Sequence, residues 1–562
     1  MGAFPIPLVA QPTVSGLVPQ TADGLVRQRR TDRPVLLIGF LRQGNLGLGY
    51  LSATLRQFGY RVELLDFEQP ADELLAAARR LNPVLVGFSL IFQFYVRRFE
   101  SLAAELRAGG IDCHFTMGGH FPSLSSEATL QLVPQLDSVV RFEGELTLLE
   151  LVDLVALGVD WRGIQGIALR DAAGQAVFNP MRHLVHDLDT LPHPDRDYEP
   201  ETILGQRAIP LLASRGCART CSFCSIHTFY RAVPGKVVRI RKPRQVVDEM
   251  HGLHHERGIN IFLFQDDDFP VFGAAWRRWT RELIAELHRA ELPGKVVWKI
   301  NCRADAVEPE LFAEMRDAGL YLVYMGLESG SEEGLDTLNK GVEVAQNLEA
   351  VAMLKQLGLM FEFGFMMFDP STSFQSIRDN VAFLEHIVGD GSAAAVFCRM
   401  LPYDGTPIKT TLAEQGRLKG DVCDPDYTFL DDRIGDLYLD INRLVHVAGW
   451  IHGHRALSPK INWAWNELAV MKRLFSGVRG AARYEQSLRA ITRASNELLF
   501  RLVRDAARSH ESGAPLTWTE SALAPPCDRL LERLAAARDG FVLKNQAVLM
   551  QTLERQGLLA TA

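Results

Sequence analysis

Cysteine is scarce in this chain, neither charge sign dominates, and no apolar run is long enough to cross a membrane. Eight cysteines in 562 residues cannot build a disulfide scaffold. Five of them (Cys113, Cys302, Cys398, Cys423, Cys527) stand apart and the other three fall within eight residues. That usage fits a reducing compartment and one metal or redox site. A net charge of −8 offers no basic surface to a polyanion, and the short basic run 27–33 reads as a solvated lead-in, so no nucleic-acid partner is expected. The longest apolar stretch, 146–161, carries Glu150, Asp153 and Asp160, while Pro5, Pro7 and Pro12 interrupt the N-terminus. Neither a membrane span nor a secretion signal is expected, and the protein reads as cytoplasmic. No G-x-G-x-x-G follows the first predicted strand, which leaves a nicotinamide site poorly supported.

What is present is ordinary globular composition, 47% hydrophobic and 23% charged, in a chain long enough for several domains. After a lead-in over 1–33, short apolar runs at 35–40, 62–66, 84–89, 113–117 and 138–142 alternate with helical patterns. This alternation predicts a doubly wound parallel sheet over 34–163, an α/β fold whose ligands bind beyond the carboxyl ends of the strands. Small or polar residues gather at those ends: Gly47, Leu48 and Gly49, Ser89, Gly118-Gly119-His120, and Glu143-Gly144-Glu145. Residues 164–204 read as a linker with a hairpin at 166–178 and a proline-rich tail. A second series of strands, at 208–214, 260–265, 296–301, 322–327, 360–366 and 394–400, predicts a partial (β/α)6 barrel over 205–430 with its site at the C-terminal strand ends. From 431 to 562 the pattern is all-α, with Pro525-Pro526 expected to interrupt it.

The chemistry concentrates in Ser214-Arg-Gly-Cys217-Ala-Arg-Thr-Cys221-Ser-Phe-Cys224. Three thiolates so spaced can surround one soft metal centre. A structural zinc site would want a fourth ligand, and no second C-x-x-C or H-x-x-x-H lies nearby. With three ligands one metal position stays open for a small chelating molecule.

C-x3-C-x2-C with an aromatic before its last cysteine, directly after the first strand of a six-unit β/α domain, resembles the radical S-adenosylmethionine (SAM) superfamily. The resemblance implies a 4Fe–4S cluster on Cys217, Cys221 and Cys224 whose open iron is chelated by SAM. Reductive cleavage of SAM would then give a 5′-deoxyadenosyl radical, the cofactor supplying the hard chemistry. It also implies SAM contacts from Phe223, from Asp266 and Asp267 after the second barrel strand, and from Arg303 after the third. Glu328 and Ser329 after the fourth strand and Phe365 on the fifth would complete the set. Asn339-Lys340-Gly341 is a familiar segment of open role, and Cys302 reads either as a functional thiol or as a packed residue. LGLGYLSATLRQFGYRVELLD, VGFS, MGGH and EGE resemble the cobalamin-binding domain of cobalamin-dependent radical SAM proteins, so the two resemblances span roughly 34–430. Gly47, Leu48, Gly49, Ser89, Gly118, Gly119, His120, Glu143, Gly144 and Glu145 are then the expected cobalamin contacts. One departure is clear: the D-x-H-x-x-G that would donate a lower axial histidine is replaced by Leu41-Arg-Gln-Gly-Asn-Leu, and Asp112-Cys-His114 is only a near miss.

These resemblances imply C-methylation of an unactivated carbon of a natural-product or peptide intermediate through methylcobalamin. An external electron donor such as flavodoxin or ferredoxin would feed the cluster. A cobalamin-dependent cyclase or ring-rearranging enzyme without net methyl transfer is the alternative, and a non-catalytic cobalamin or iron–sulfur sensor a remote one. Trp450, His452, His454, Trp463 and Trp465 are weighed as cavity-lining residues against ordinary packing.

Overall fold

A computed structural model of the chain describes residues 31–42, 44–447, 449–450 and 456–558. The first five apolar runs form β1 (Val35–Gly39), β2 (Val62–Asp66), β3 (Leu85–Ser89), β4 (His114–Gly118) and β5 (Ser138–Val140), all parallel, in the order β2-β1-β3-β4-β5. Every side chain of β1 is buried, as a central strand covered on both faces requires. Helices α1 (Leu46–Gln57), α2 (Ala71–Leu81), α3 (Val96–Ala108), α4 (His120–Leu124), α5 (Ser126–Leu132) and α6 (Glu145–Leu157) make the crossovers. The expected hairpin, β6 (Ile167–Arg170) and β7 (Ala176–Phe178), adds to the same sheet beside β5 as two antiparallel edge strands. The strand order reverses between β1 and β3, and such a switch point opens a crevice at the carboxyl ends.

His114 lies at the opposite end of this sheet, where its Nε2 meets Ser138 Oγ at 2.9 Å and its ring stands edge-on to Trp161. Burial holds its pKa down to about 4, so the folded state keeps the imidazole neutral. Stability is complete above the ordinary histidine value near 6.5 and falls with pH towards 4, because only the unfolded chain takes the proton. Acidification from pH 7 to 5 is expected to cost the apo protein about 2 kcal/mol more than it costs the His114→Gln variant. Paired denaturant titrations would show it, and equal losses would refute it.

The second sheet has the order β16-β15-β14-β13-β12-β9-β8. Its strands are β8 (Glu201–Ile203), β9 (Gln206–Leu211), β12 (Ile259–Phe264), β13 (Val297–Cys302), β14 (Leu320–Glu328), β15 (Met360–Phe368) and β16 (Cys398–Arg399), with only β8 antiparallel. Between β9 and β12 a small ribbon pairs β10 (Ser214–Arg215) with β11 (Arg239–Ile240). The sixth barrel strand is shorter than expected. Residues Ala393 and Ala395 bond to the side chain of Asn496 instead of to a neighbouring strand.

Among the described residues five helices follow, Asp432–Val447, Leu457–Leu474, Ala481–Ser512, Glu520–Lys544 and Gln546–Arg555, and they share one continuous hydrophobic core with the barrel. Pro525-Pro526 does not interrupt them: both sit inside Glu520–Lys544. Each removes one N–H from the second turn, while Leu523 and Cys527 on either side are fully buried. Trp465 and Leu468 lie against Tyr321 and Met360 at the strand starts, away from the carboxyl ends. Trp450 is fully buried in the core, whereas Trp463 is 41% exposed on the surface and donates to Glu467. His452 and His454 lie outside the described residues.

The connector welds the two sheets. Asp195 accepts from Ser52 at 2.6 Å and pairs with Arg56 of α1 at 3.0 Å. Arg196 pairs with the buried Glu249 at 2.7 Å, which also holds Arg241 at 2.6 Å. The first contact is to the first domain's helix layer and the second to the barrel's.

Candidate active site at facing strand ends

The carboxyl ends of the two sheets look at each other across a cavity of about 280 Å³. Gly47, Leu48, Ser89, Gly118, Gly119, His120, Glu143, Gly144 and Glu145 line it from the first sheet, and Leu212, Ser214, Arg215, Phe229, Tyr230 and Asp267 from the barrel. Of the residues expected on the cobalamin side only Gly49 is absent from this wall. A Cβ there would stand 2.5 Å from the Asp195 carbonyl, so its bareness serves the connector. Gly119 does belong to the wall: its φ of 116° and the Leu90 carbonyl 2.1 Å from any Cβ leave room for no other residue.

The site fits a corrin by its form. It lies at the switch point, its wall is mostly apolar, and bare backbone at Gly47, Gly118 and Gly144 admits a broad flat ligand. His120 is held neutral, its pKa pushed down to about 4 by burial, and its ring stands edge-on to Phe229. Glu143 and Glu145 do something the sequence did not reveal. Arg215 donates to Glu143 at 3.1 Å and to Glu145 at 2.7 Å, and Arg239 donates to Glu143 at 2.7 Å. Glu143 also accepts from the Val185 amide at 2.9 Å. Burial alone would raise the Glu143 pKa, but the two guanidiniums hold it below the usual carboxylate range. These carboxylates therefore pin the first sheet to β10 and β11, the ribbon that opens the cysteine loop. Phe142, just before Glu143, has a φ of 63°, a strained conformation at a functional turn.

The cysteine loop runs from Leu212 to α7 (Ser225–Arg231), whose N-cap is Cys224. Gly216 starts it with a φ of 88° and the Val237 carbonyl 2.0 Å from any Cβ. The loop is clamped by the segment whose role the sequence left open. Leu338 accepts from the Ser222 amide at 2.9 Å, and the Asn339 amide donates to Thr220 at 2.7 Å. Arg303 donates to the Lys340 carbonyl at 2.5 Å and points Nη1 at Cys221 Sγ, 3.7 Å away. Cys217 has its thiol pushed up to about 12, by burial and then by Asp268, and burial raises Cys224 as well. The free loop therefore keeps those two thiols protonated, and a metal must displace the protons. Among the described residues no three His, Cys, Asp or Glu side chains close on a single ion. A cubane does not ask for that, since each thiolate takes its own iron. Three unpaired cysteines in one clamped loop, with a guanidinium on Cys221, fit such a cluster.

The remaining expected SAM contacts divide. Asp267 lines the cavity and accepts from the Gly216 amide at 2.9 Å. Asp266 does not face it: it accepts from Ala213 and from Ser214 Oγ, fastening β12 to the loop. Glu328 sits at the end of β14 with a φ of 63° and is paired with Lys340 at 2.8 Å. Phe223 stands 6.0 Å from that ammonium. Ser329 is fully buried and bonded to Asn380, so it supports the turn. Phe365 points the wrong way. On β15 the odd residues Phe361, Phe363 and Phe365 are buried, and Phe365 stacks on Phe383 of the outer layer. The alternate residues Glu362 and Gly364 face the lumen, where Gly364 pairs in register with Gly326. Cys302 is a packed core residue.

Comparison with known proteins agrees with this anatomy. Residues 42–152 match the B12 binding domain and residues 211–384 the Radical SAM superfamily. The chain is 27% identical over 371 residues to the uncharacterized methyltransferase PH0819 of Pyrococcus horikoshii, covering 64% of this chain and 76% of that one. It is 30% identical over 337 residues to the anaerobic magnesium-protoporphyrin IX monomethyl ester cyclase of Rubrivivax gelatinosus, covering 57% of this chain and 58% of that one, little over half its length. Its fold matches the cobalamin-dependent SAM radical enzyme OxsB with aqua-cobalamin bound, at a TM-score of 0.65 and 19% identity over 94% of this chain and 84% of that one. No helix among the described residues is long and apolar enough to cross a membrane. With a B12-binding domain followed by a radical SAM domain, and a cavity walled by both, the chain belongs to the cobalamin-dependent radical SAM enzymes, whose cofactors are a 4Fe–4S cluster, SAM and cobalamin.

Proposed function

We propose that this enzyme transfers a methyl group to an unactivated carbon of a small-molecule intermediate. The observation that carries the reading is the single cavity walled by the carboxyl ends of both sheets, with the cysteine loop of one tied to the glycine-rich turns of the other. When bound, the cluster, SAM and cobalamin supply the electron, the hydrogen abstraction and the methyl group.

The protein's part is placement. Cys217, Cys221 and Cys224 hold the cluster and leave one iron position unfilled by protein. Arg303 sets a positive charge beside Cys221 and ties the loop to Lys340. Gly326 and Gly364 make room for the Glu328–Lys340 pair at the lumen mouth, where a Cβ would stand 2.2 Å from Glu328 Oε1 and 2.8 Å from the Tyr324 hydroxyl, respectively, so that pair and Tyr324 are the polar groups offered to SAM there. Gly47, Gly118, Gly119 and Gly144 cradle the corrin. Phe142, Phe229 and Tyr230 pack edge to face in the cavity wall and would exclude water from a bound corrin. The electron arrives from an external reductant of the flavodoxin or ferredoxin type.

A second reading, ring formation without net methyl transfer, is favoured by the cyclase relative. One experiment separates them. Anaerobic holoenzyme, reductant, a candidate substrate and SAM carrying a deuterated methyl group are expected to give a product three mass units heavier than that made with ordinary SAM. A product whose mass is the same with either SAM would overturn methyl transfer.

A further inference from the structure

Ile91 lines the cavity, and the chain then leaves it through Phe92, Gln93 and Phe94. Gln93 is only 2% exposed and bridges to the barrel side: its Nε2 donates to the Val422 carbonyl at 2.7 Å and its Oε1 accepts from the Asp404 amide at 3.0 Å. These two hydrogen bonds pin the backbone between two phenylalanines that are 43% and 42% exposed. Burial would favour such side chains, yet the pinned loop presents both outward. Their rings are parallel within 7° at 5.5 Å between centroids. Tyr403, in the loop after β16, brings a third ring 6.4 Å from Phe94, and Leu401 beside it is 39% exposed. The shelf thus bridges the rim of the corrin cavity and the end of the sixth barrel strand.

Its electrostatics narrow what it takes. On the adjoining helices Lys409 is paired with Asp404, and Arg97 with Asp421 at 2.5 Å. Arg98 is folded over Phe67 and Tyr95. Flat apolar faces are offered and these cations are already engaged, which suits stacking and not the capture of a phosphate or carboxylate.

We propose that Phe92, Phe94 and Tyr403 form the substrate's stacking shelf, and that the substrate is an uncharged compound built on a planar conjugated ring system. The inference rests on the methyl-transfer reading and names the substrate class for that same site.

The test uses anaerobic holoenzyme saturated with SAM, titrated with 2-naphthol, 1-naphthyl phosphate and cyclohexanol by ligand-observed NMR. 2-Naphthol is expected to bind best of the three. Phe92→Ala/Phe94→Ala is expected to weaken it about tenfold or more, the scale of lost ring stacking, and Phe92→Tyr/Phe94→Tyr to keep the affinity. Corrin and iron content of each variant, measured on the same samples, guards against misfolding. Equal naphthol affinity in the alanine variant, or tighter binding of the phosphate or of cyclohexanol, would overturn the shelf. Failure of methyl transfer would appear separately, as an unlabelled product with these affinities unchanged.

Discussion

Alanine at Cys217, Cys221 or Cys224 is expected to reduce SAM cleavage, read as 5′-deoxyadenosine formed under dithionite, to background. Three thiolates are the whole protein contribution to the cluster in this reading, so no single loss can be compensated from within the site. Cys302, at the end of β13, is no substitute ligand, because it is buried and packed into the core. The loop's own frame does not depend on the thiols. Ser222, Thr220 and Asp266 hold it through the Leu338 and Asn339 segment and through Ala213. The three variants should therefore fold, bind corrin and fail in iron content and cleavage alone. Full cleavage by any one of them would remove that cysteine from the ligand set.

Glu143→Ala is expected to be strongly destabilising although it lies outside the cysteine loop. It strips the shared partner from Arg215 and Arg239, whose side chains are 10% and 1% exposed. Breaking a buried ion pair from one side typically costs about 3–5 kcal/mol, because an unpaired charge is left behind. Glu145 still serves Arg215 at 2.7 Å, but Arg239 keeps only the Val185 carbonyl, and its Nε and Nη2 already lack partners. The expected result is a lower denaturant midpoint together with loss of corrin on desalting, since the same carboxylate orders the cavity wall. In the Glu143→Ala/Arg239→Met double variant the orphaned guanidinium is gone and much of the stability should return. A single variant as stable as the parent would show that the two sheets are held together by something else.

How much of this could be read from residues alone depended on range. The cysteine loop and the glycine-rich turns are local patterns at strand ends, and period and composition locate strand ends well. The doubly wound sheet, the open barrel and the helical tail were legible for the same reason. What stayed hidden was long-range. Arg239 meets Glu143 across 96 residues and Asn339 meets Thr220 across 119, and no local signal connects such pairs. Phe365 was misplaced by a different cause. Both faces of a barrel strand carry apolar residues, so the alternation that assigns sides is blurred in Met360–Phe368, and one residue of register turns every side chain over. Pro525-Pro526 misled because a proline penalty near a helix start can be outweighed by the core its neighbours enter.

The central claim is that these three sulfurs leave one iron corner free for SAM. It is met most directly by electron paramagnetic resonance of the anaerobically reconstituted, reduced protein, recorded with and without SAM. The account predicts about four irons per chain and a cluster signal whose g values move when SAM is added. A signal indifferent to saturating SAM, or a tightly held zinc ion in place of the iron, would contradict it.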